Sequence, residues 1–98
     1  MPLIKSFNST SMIDYTFYKH VMEFLVKYLG LENELLYMSV LRYNETVNGV
    51  KALVAIYRVN RGELITYCVV KFDNLAGKAE PTCSEDRKYV ERIYEEMT

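Results

Sequence analysis

The amino-acid sequence predicts an α+β fold in the order α-β-β-β-α. It is read as a three-stranded antiparallel meander, with room for a short fourth strand, packed with two helices. Three observations predict it. Residues 12–29 carry apolar side chains at helical spacing. Residues 35–73 hold three runs rich in β-branched and aromatic residues, broken at Asn48-Gly49 and at Asn60-Arg61-Gly62. Residues 82–97 return to helical spacing. With 98 residues, 50% of them hydrophobic, the chain makes one domain, 1–98, whose residues 1–10 form a short N-terminal arm.

The first helix is expected from Met12 to Leu29. Ser11 with Asp14 resembles a capping box, and Gly30 closes the helix. Tyr18, Val21, Met22, Leu25, Val26 and Leu29 form its apolar stripe, and Phe17, Phe24 and Tyr28 widen it. So broad a face predicts cover on two sides.

Asn48-Gly49 suits a two-residue hairpin turn with positive φ, which pairs residue 47 with 50, Tyr43 with Val54 and Leu41 with Ile56. Asn60-Arg61-Gly62 suits a three-residue loop with Gly62 left-handed, which pairs Val59 with Glu63 and Ala55 with Tyr67. The strands are then about 35–47, 50–59 and 63–73. Alternation assigns Leu35, Tyr37, Leu41, Tyr43, Val50, Ala52, Val54, Ile56, Leu64, Cys68, Val70 and Phe72 to a first, core face. Met38, Val40, Leu53, Ala55, Tyr57, Ile65, Tyr67 and Val69 fall on a second face, with Arg42, Lys51 and Lys71.

The segment from Asn74 to Pro81 reads as a loop, with the short fourth strand near Lys78–Glu80. Thr82 with Glu85 matches a capping box for the last helix. Its apolar stripe is Tyr89, Val90, Ile93, Tyr94 and Met97, and Arg87–Glu91 and Arg92–Glu96 are i,i+4 pairs on its wet side.

Composition limits the function classes. Net charge is −1, and neither half of the chain is polarised, so no basic arm draws the protein to a polyanion. No apolar run reaches the ~20 residues of a membrane span, so no membrane association is expected. Met1-Pro2-Leu3-Ile4-Lys5 is not the start of a secretory signal, and two cysteines are too few for a disulfide framework, which places the protein in the cytoplasm. Cys68 points inward as a small apolar group, while Cys83, at or just before a helix N-terminus, is the more reactive thiol. A Cys68–Cys83 bridge across the intervening loop is the alternative state of the pair. His20, with Glu23 and Lys27 on its helix face, reads as a surface histidine because no nucleophile or oxyanion loop accompanies it. The expectation is a protein that is not an enzyme, with no catalytic residue, metal or cofactor.

The second sheet face carries the candidate site. Lys51 and Lys71 are directly cross-strand, a destabilising arrangement unless a negative group intervenes. Arg42 shares their face, with Tyr57 and Tyr67 nearer its centre. Aromatic side chains ringed by cations stack single-stranded bases, and the same residue types anchor protein interfaces.

A chain of 98 residues with nine tyrosines, no tryptophan and no glutamine resembles the small orphan proteins of hyperthermophilic archaeal viruses and plasmids. The resemblance implies a thermostable accessory protein acting in a host cytoplasm. The element order over residues 12–98 also resembles the double-stranded-RNA-binding domain. That family opens its second helix with a basic cluster and holds Gly-Pro and a histidine in its first hairpin loop. Here those stretches read Thr82-Cys83-Ser84-Glu85-Asp86-Arg87-Lys88, with acids where the family has its phosphate-gripping bases, and Asn44-Glu45-Thr46-Val47-Asn48-Gly49, and both departures count against duplex-RNA binding.

The leading expectation is a non-enzymatic interaction module that forms a homodimer or meets a protein partner. Its dimer surface would be the second face or the Phe17–Phe24–Tyr28 flank. The alternative is a single-stranded nucleic-acid binder using Arg42, Lys51, Tyr57, Tyr67 and Lys71.

Overall fold

The computed structural model describes residues 15–73 and 81–97. The expected arm, the Ser11–Asp14 cap, helix positions 12–14 and the strand near 78–80 lie outside the described residues. The elements are α1 (Tyr15–Leu29), β1 (Leu36–Glu45), β2 (Gly49–Arg58), β3 (Glu63–Asp73), β4 (Thr82–Ser84) and α2 (Arg87–Glu96). The four strands form one antiparallel sheet in the order β1-β2-β3-β4. The fold is therefore α+β with a helix at each end of the meander, and the fourth strand occupies the stretch expected to cap the last helix.

The two helices cover opposite faces. Tyr18, Val21 and Leu25 of α1 pack on Met38, Val40, Ala52, Val54, Ile56, Cys68 and Val70. Val90 and Tyr94 of α2 pack on Leu53 and Val69, with Leu41, Tyr67, Ile93 and Met97 around them. Residues 52, 54 and 56 of β2 thus meet one helix and residue 53 the other, as strand alternation requires. Each of Leu53, Val54 and Ile56, removed from water, contributes about 1.5–3 kcal/mol before the entropy of ordering it is subtracted.

Among the described residues α1 packs on one sheet face, although its stripe is broad. Phe17 lies edge-on to Tyr43 and Phe72 at 5.3 and 5.9 Å, and Phe24 to Phe72 at 5.7 Å, so the aromatic flank folds down beside the core. Gly30 ends the helix at φ 72°, and the Leu31 N–H returns to the Val26 carbonyl at 2.9 Å.

Two β-bulges correct the expected register. In β1, Val40 pairs with Val54 and Arg42 with Leu53, leaving Leu41 as the extra residue. Everything before it changes face: Met38 and Val40 enter the core under α1, and Tyr37 moves to the second face opposite Tyr57. In β3 the register shifts at Ile65, which packs toward α1, while Leu64 pairs with Tyr57. On the turn-distal side of the Ile65 bulge the expected β2–β3 pairs Ala55–Tyr67 and Lys51–Lys71 are present.

The first hairpin turns one residue earlier than expected. Thr46 N–H donates to the Gly49 carbonyl at 2.8 Å, so Val47 and Asn48 occupy the turn and Tyr43 pairs with Ala52, not Val54. Gly49 opens β2, where a Cβ would overlap the Phe72 carbonyl; it is needed for close approach and not for a positive φ. The second loop closes between Arg58 and Glu63, with Gly62 left-handed at φ 65° as expected.

The α2 cap lies later than Thr82–Glu85. Asp86 is the N-cap, accepting from the Lys88 and Tyr89 N–H groups at 3.1 and 3.3 Å. Thr82–Ser84 are committed to the sheet instead, and the Ser84 hydroxyl accepts from the Asp86 N–H at 3.0 Å.

Candidate functional site

The second face divides into a half that α2 covers and a half that it does not. Leu53 and Val69 lie under the covered half and are fully buried. The cations of this half turn toward the helix. Lys51 donates to the Tyr94 carbonyl at 2.8 Å and the Met97 carbonyl at 3.0 Å, at the negative end of the helix dipole. That is the negative group which lets Lys51 stand opposite Lys71. Arg42 pairs with Glu95 at 2.8 Å. Arg42 and Lys51 also approach the Tyr94 ring at 4.6 and 4.3 Å from its centroid. The Tyr94 hydroxyl donates to Asn44 Oδ1 at 2.5 Å. Burial pushes the Tyr94 phenol up to about 12, against the lowering pull of Arg42.

Tyr67 lies under Arg87, 5.8 Å from ring centroid to guanidinium carbon, where α2 begins. Arg87 also holds Glu91 at 2.9 Å, the i,i+4 pair read from the sequence. Arg42, Lys51 and Tyr67 are therefore all engaged with α2. Tyr57 stands apart from them, on the uncovered half. Lys71 sits beside Lys51 in the register. The second expected surface is also divided: Phe17 and Phe24 are partly buried against the core, and Tyr28 is 52% exposed.

The uncovered half lies at the start of β1 and the end of β2. Tyr37 and Tyr57 stack there at 5.0 Å with an interplanar angle of 13°. Leu35 and Val59 flank them, 69% and 49% exposed, joined by the Val59 N–H to Leu35 carbonyl bond at 3.0 Å. Leu64 faces the pair from β3. Around this apolar strip the charges neutralise one another. Arg58 meets Glu34 at 2.9 Å and Glu63 at 3.7 Å, and Arg61 meets Glu63 at 3.9 Å.

Sequence reasoning missed Tyr37 and Leu35 as surface residues because it placed both on the core face. The bulge at Leu41 reverses that placement for the β1 residues before it. A run in which both alternating sets are apolar could have raised the question, but not answered it.

The open edge of β1 is capped from within. The Tyr18 hydroxyl donates to the Met38 carbonyl at 2.7 Å and accepts from the Met38 N–H at 3.2 Å. One phenol thus occupies both outward backbone groups of that residue, which blocks strand addition there. Its burial raises the phenol pKa, and the bond to the Met38 backbone opposes the rise.

His20 is exposed on α1, and among the described residues no group of three or more His, Cys, Asp or Glu side chains converges on one point. Cys68 and Cys83 are directly opposite one another on β3 and β4 and form a disulfide, with Cα atoms 4.1 Å apart. Cys83 is thus a strand residue and not a thiol at a helix N-terminus. Among the described residues no helix is long and apolar enough to cross a membrane. No protein-family model, curated protein or solved structure matches this chain.

Proposed function

We propose that this chain is a non-enzymatic interaction module that pairs with a second copy of itself through the uncovered half of the second sheet face. The observation that carries this reading is the strip of exposed Leu35, Tyr37 and Val59 around a half-buried Tyr57, with the two tyrosines already stacked. Rigid aromatic side chains anchored in a sheet lose little entropy on contact and dominate interface energetics. A second copy fits because the rim of Glu34, Arg58, Arg61 and Glu63 is neutralised locally, so two such rims meet without repulsion. The same neutrality argues against a polyanion, as does the commitment of Arg42 and Lys51 to α2.

The test is sedimentation velocity on the full chain at ~100 μM, where a weak, small interface is still populated. A dimer is expected, and Tyr37→Lys should return it to monomer, lowering the melting point of the diluted protein only by the loss of the Tyr37–Tyr57 stack, about 0.2–1 kcal/mol. A monomer at that concentration, or a dimer indifferent to Tyr37→Lys, refutes the surface. In the same samples a single-stranded oligonucleotide should not bind at low salt. Binding with a log–log salt slope near −2 would favour the nucleic-acid reading instead.

A further inference from the structure

β4 is three residues long and lies at the edge of the sheet; Tyr67–Ser84, Cys68–Cys83 and Val69–Thr82 are its pairings with β3. A strand this short holds poorly by backbone pairing alone. Asp86, the N-cap of α2, follows two residues after it. The disulfide therefore fixes the point from which α2 starts.

The other end of α2 is held by different means. Lys51 grips the Tyr94 and Met97 carbonyls, Tyr94 reaches Asn44, and Arg42 pairs with Glu95. The helix thus has a polar anchor at its C-terminal end and a covalent, redox-labile one upstream of its N-terminal end. Cys68 has no exposed surface, whereas Cys83 is only partly buried, so a thiol arriving from solvent approaches from the Cys83 side.

We propose that the Cys68–Cys83 bridge is a redox latch that holds β4 and the first turns of α2 on the sheet, opened by a dithiol reductant. One thiolate of the reductant attacks Cys83 Sγ. The bond between the two cysteine sulfurs breaks, a mixed disulfide forms on Cys83, and Cys68 leaves as a thiolate that takes up a proton. The second thiolate of the reductant then attacks its own sulfur in the mixed disulfide. It closes the reductant's ring and releases Cys83, which is protonated in turn. Two electrons pass from the dithiol to the bridge, leaving two protein thiols and an oxidised reductant.

Opening the latch loosens the part of α2 that lies over Tyr67, while the Tyr94 end stays anchored. Tyr67 is cross-strand to Ala55, two residues from Tyr57, so the uncovered area extends the strip already exposed on this face. The latch itself does not depend on that strip being an interface.

The experiment is amide hydrogen exchange on the full, air-oxidised chain with and without dithiothreitol, alongside thiol titration. No titratable thiol is expected before reduction and two after it. On reduction, amides of β1–β3 that exchange only through global unfolding should lose up to about 100-fold in protection, the scale set by releasing a loop of about 15 residues. Amides of residues 82–90 should lose clearly more than those of β1–β3, through local opening, and those near Tyr94 should change less than those near Val90. The double variant Cys68→Val, Cys83→Ala should show the reduced pattern and ignore dithiothreitol; should it fail to fold, reduction of the native chain decides. Two free thiols in the oxidised protein overturn the proposal. So does unchanged protection over residues 82–90, or an equal loss across β1–β3, which would mark a general staple and not a latch.

Discussion

Replacing Lys51 by methionine separates the two roles that this residue can have. Methionine keeps an apolar stem over the sheet and removes the charge. In the structure the ammonium makes two hydrogen bonds to the carbonyls that end α2, at 2.8 and 3.0 Å, and lies 4.3 Å from the Tyr94 ring centroid. The two hydrogen bonds share one partly exposed ammonium, so together they contribute about 1.5–3 kcal/mol, the range of a single charge-assisted bond, and a partly exposed cation–π contact adds about 0.5–1 kcal/mol. Against this, the variant relieves the repulsion from Lys71 across the strand, about 0.2–1 kcal/mol. The net loss is about 2 kcal/mol. With a urea m-value of roughly 2 kcal/mol/M, the unfolding midpoint should fall by about 1 M with m unchanged. Urea denaturation followed by far-UV circular dichroism measures it. A midpoint within about 0.2 M of the parent would refute the argument that Lys51 caps α2, and would return this lysine to the pool of side chains available for a ligand.

Four further outcomes follow from the same geometry. Tyr18→Phe removes both hydrogen bonds to Met38 and should cost about 1 kcal/mol, and it should add concentration-dependent association by unblocking the β1 edge; an unchanged monomer–dimer balance in light scattering would contradict the edge role. Gly49→Ala forces a methyl into the Phe72 carbonyl and should destabilise by more than about 2 kcal/mol, so near-parental stability in chemical denaturation would show that the strands part freely there. Tyr94 is held neutral in the fold, with its pKa pushed up to about 12 from the ordinary 10.0. Its contribution is complete below pH 10 and is lost as pH rises toward 12; a pH series on Tyr94→Phe should therefore decline less steeply in that window than the parent. The oxidised chain should melt above the ~45–65 °C range of mesophile domains, and a calorimetric transition inside that range would remove the physical support for a thermophile origin.

The sequence by itself determined the helix–meander–helix order, the limits of β1, β2 and β3 to within two residues, and the register of β2 against β3 up to the Ile65 bulge, while β4 at Thr82–Ser84 reads in the sequence as the cap of the last helix. Local chemistry carries the order, the limits and the register. Gly30 and Gly62 end elements because the left-handed region is open to them, and the alternation of Ala52, Val54 and Ile56 against Leu53 is read on one strand. Only the tertiary structure decided which residues of β1 face the core. In Leu35-Leu36-Tyr37-Met38-Ser39-Val40-Leu41 both alternating sets contain large apolar side chains, so patterning has no preference. Packing under α1 settled it by drawing in Met38 and Val40, with Leu41 extruded as the bulge.

The site divides in the same way. Tyr57, Tyr67 and the Lys51–Lys71 pair were legible as a second-face cluster, because one hairpin register places them. That Lys51 and Arg42 serve α2, while Tyr37 stacks on Tyr57 beyond the reach of the helix, was not legible. Those contacts join residues 43 to 53 positions apart, or depend on the β1 bulge at Leu41. The Cys68–Cys83 bridge belongs with them: separation along the chain allowed it, but only the pairing of β4 with β3 brought the two Cα atoms to 4.1 Å.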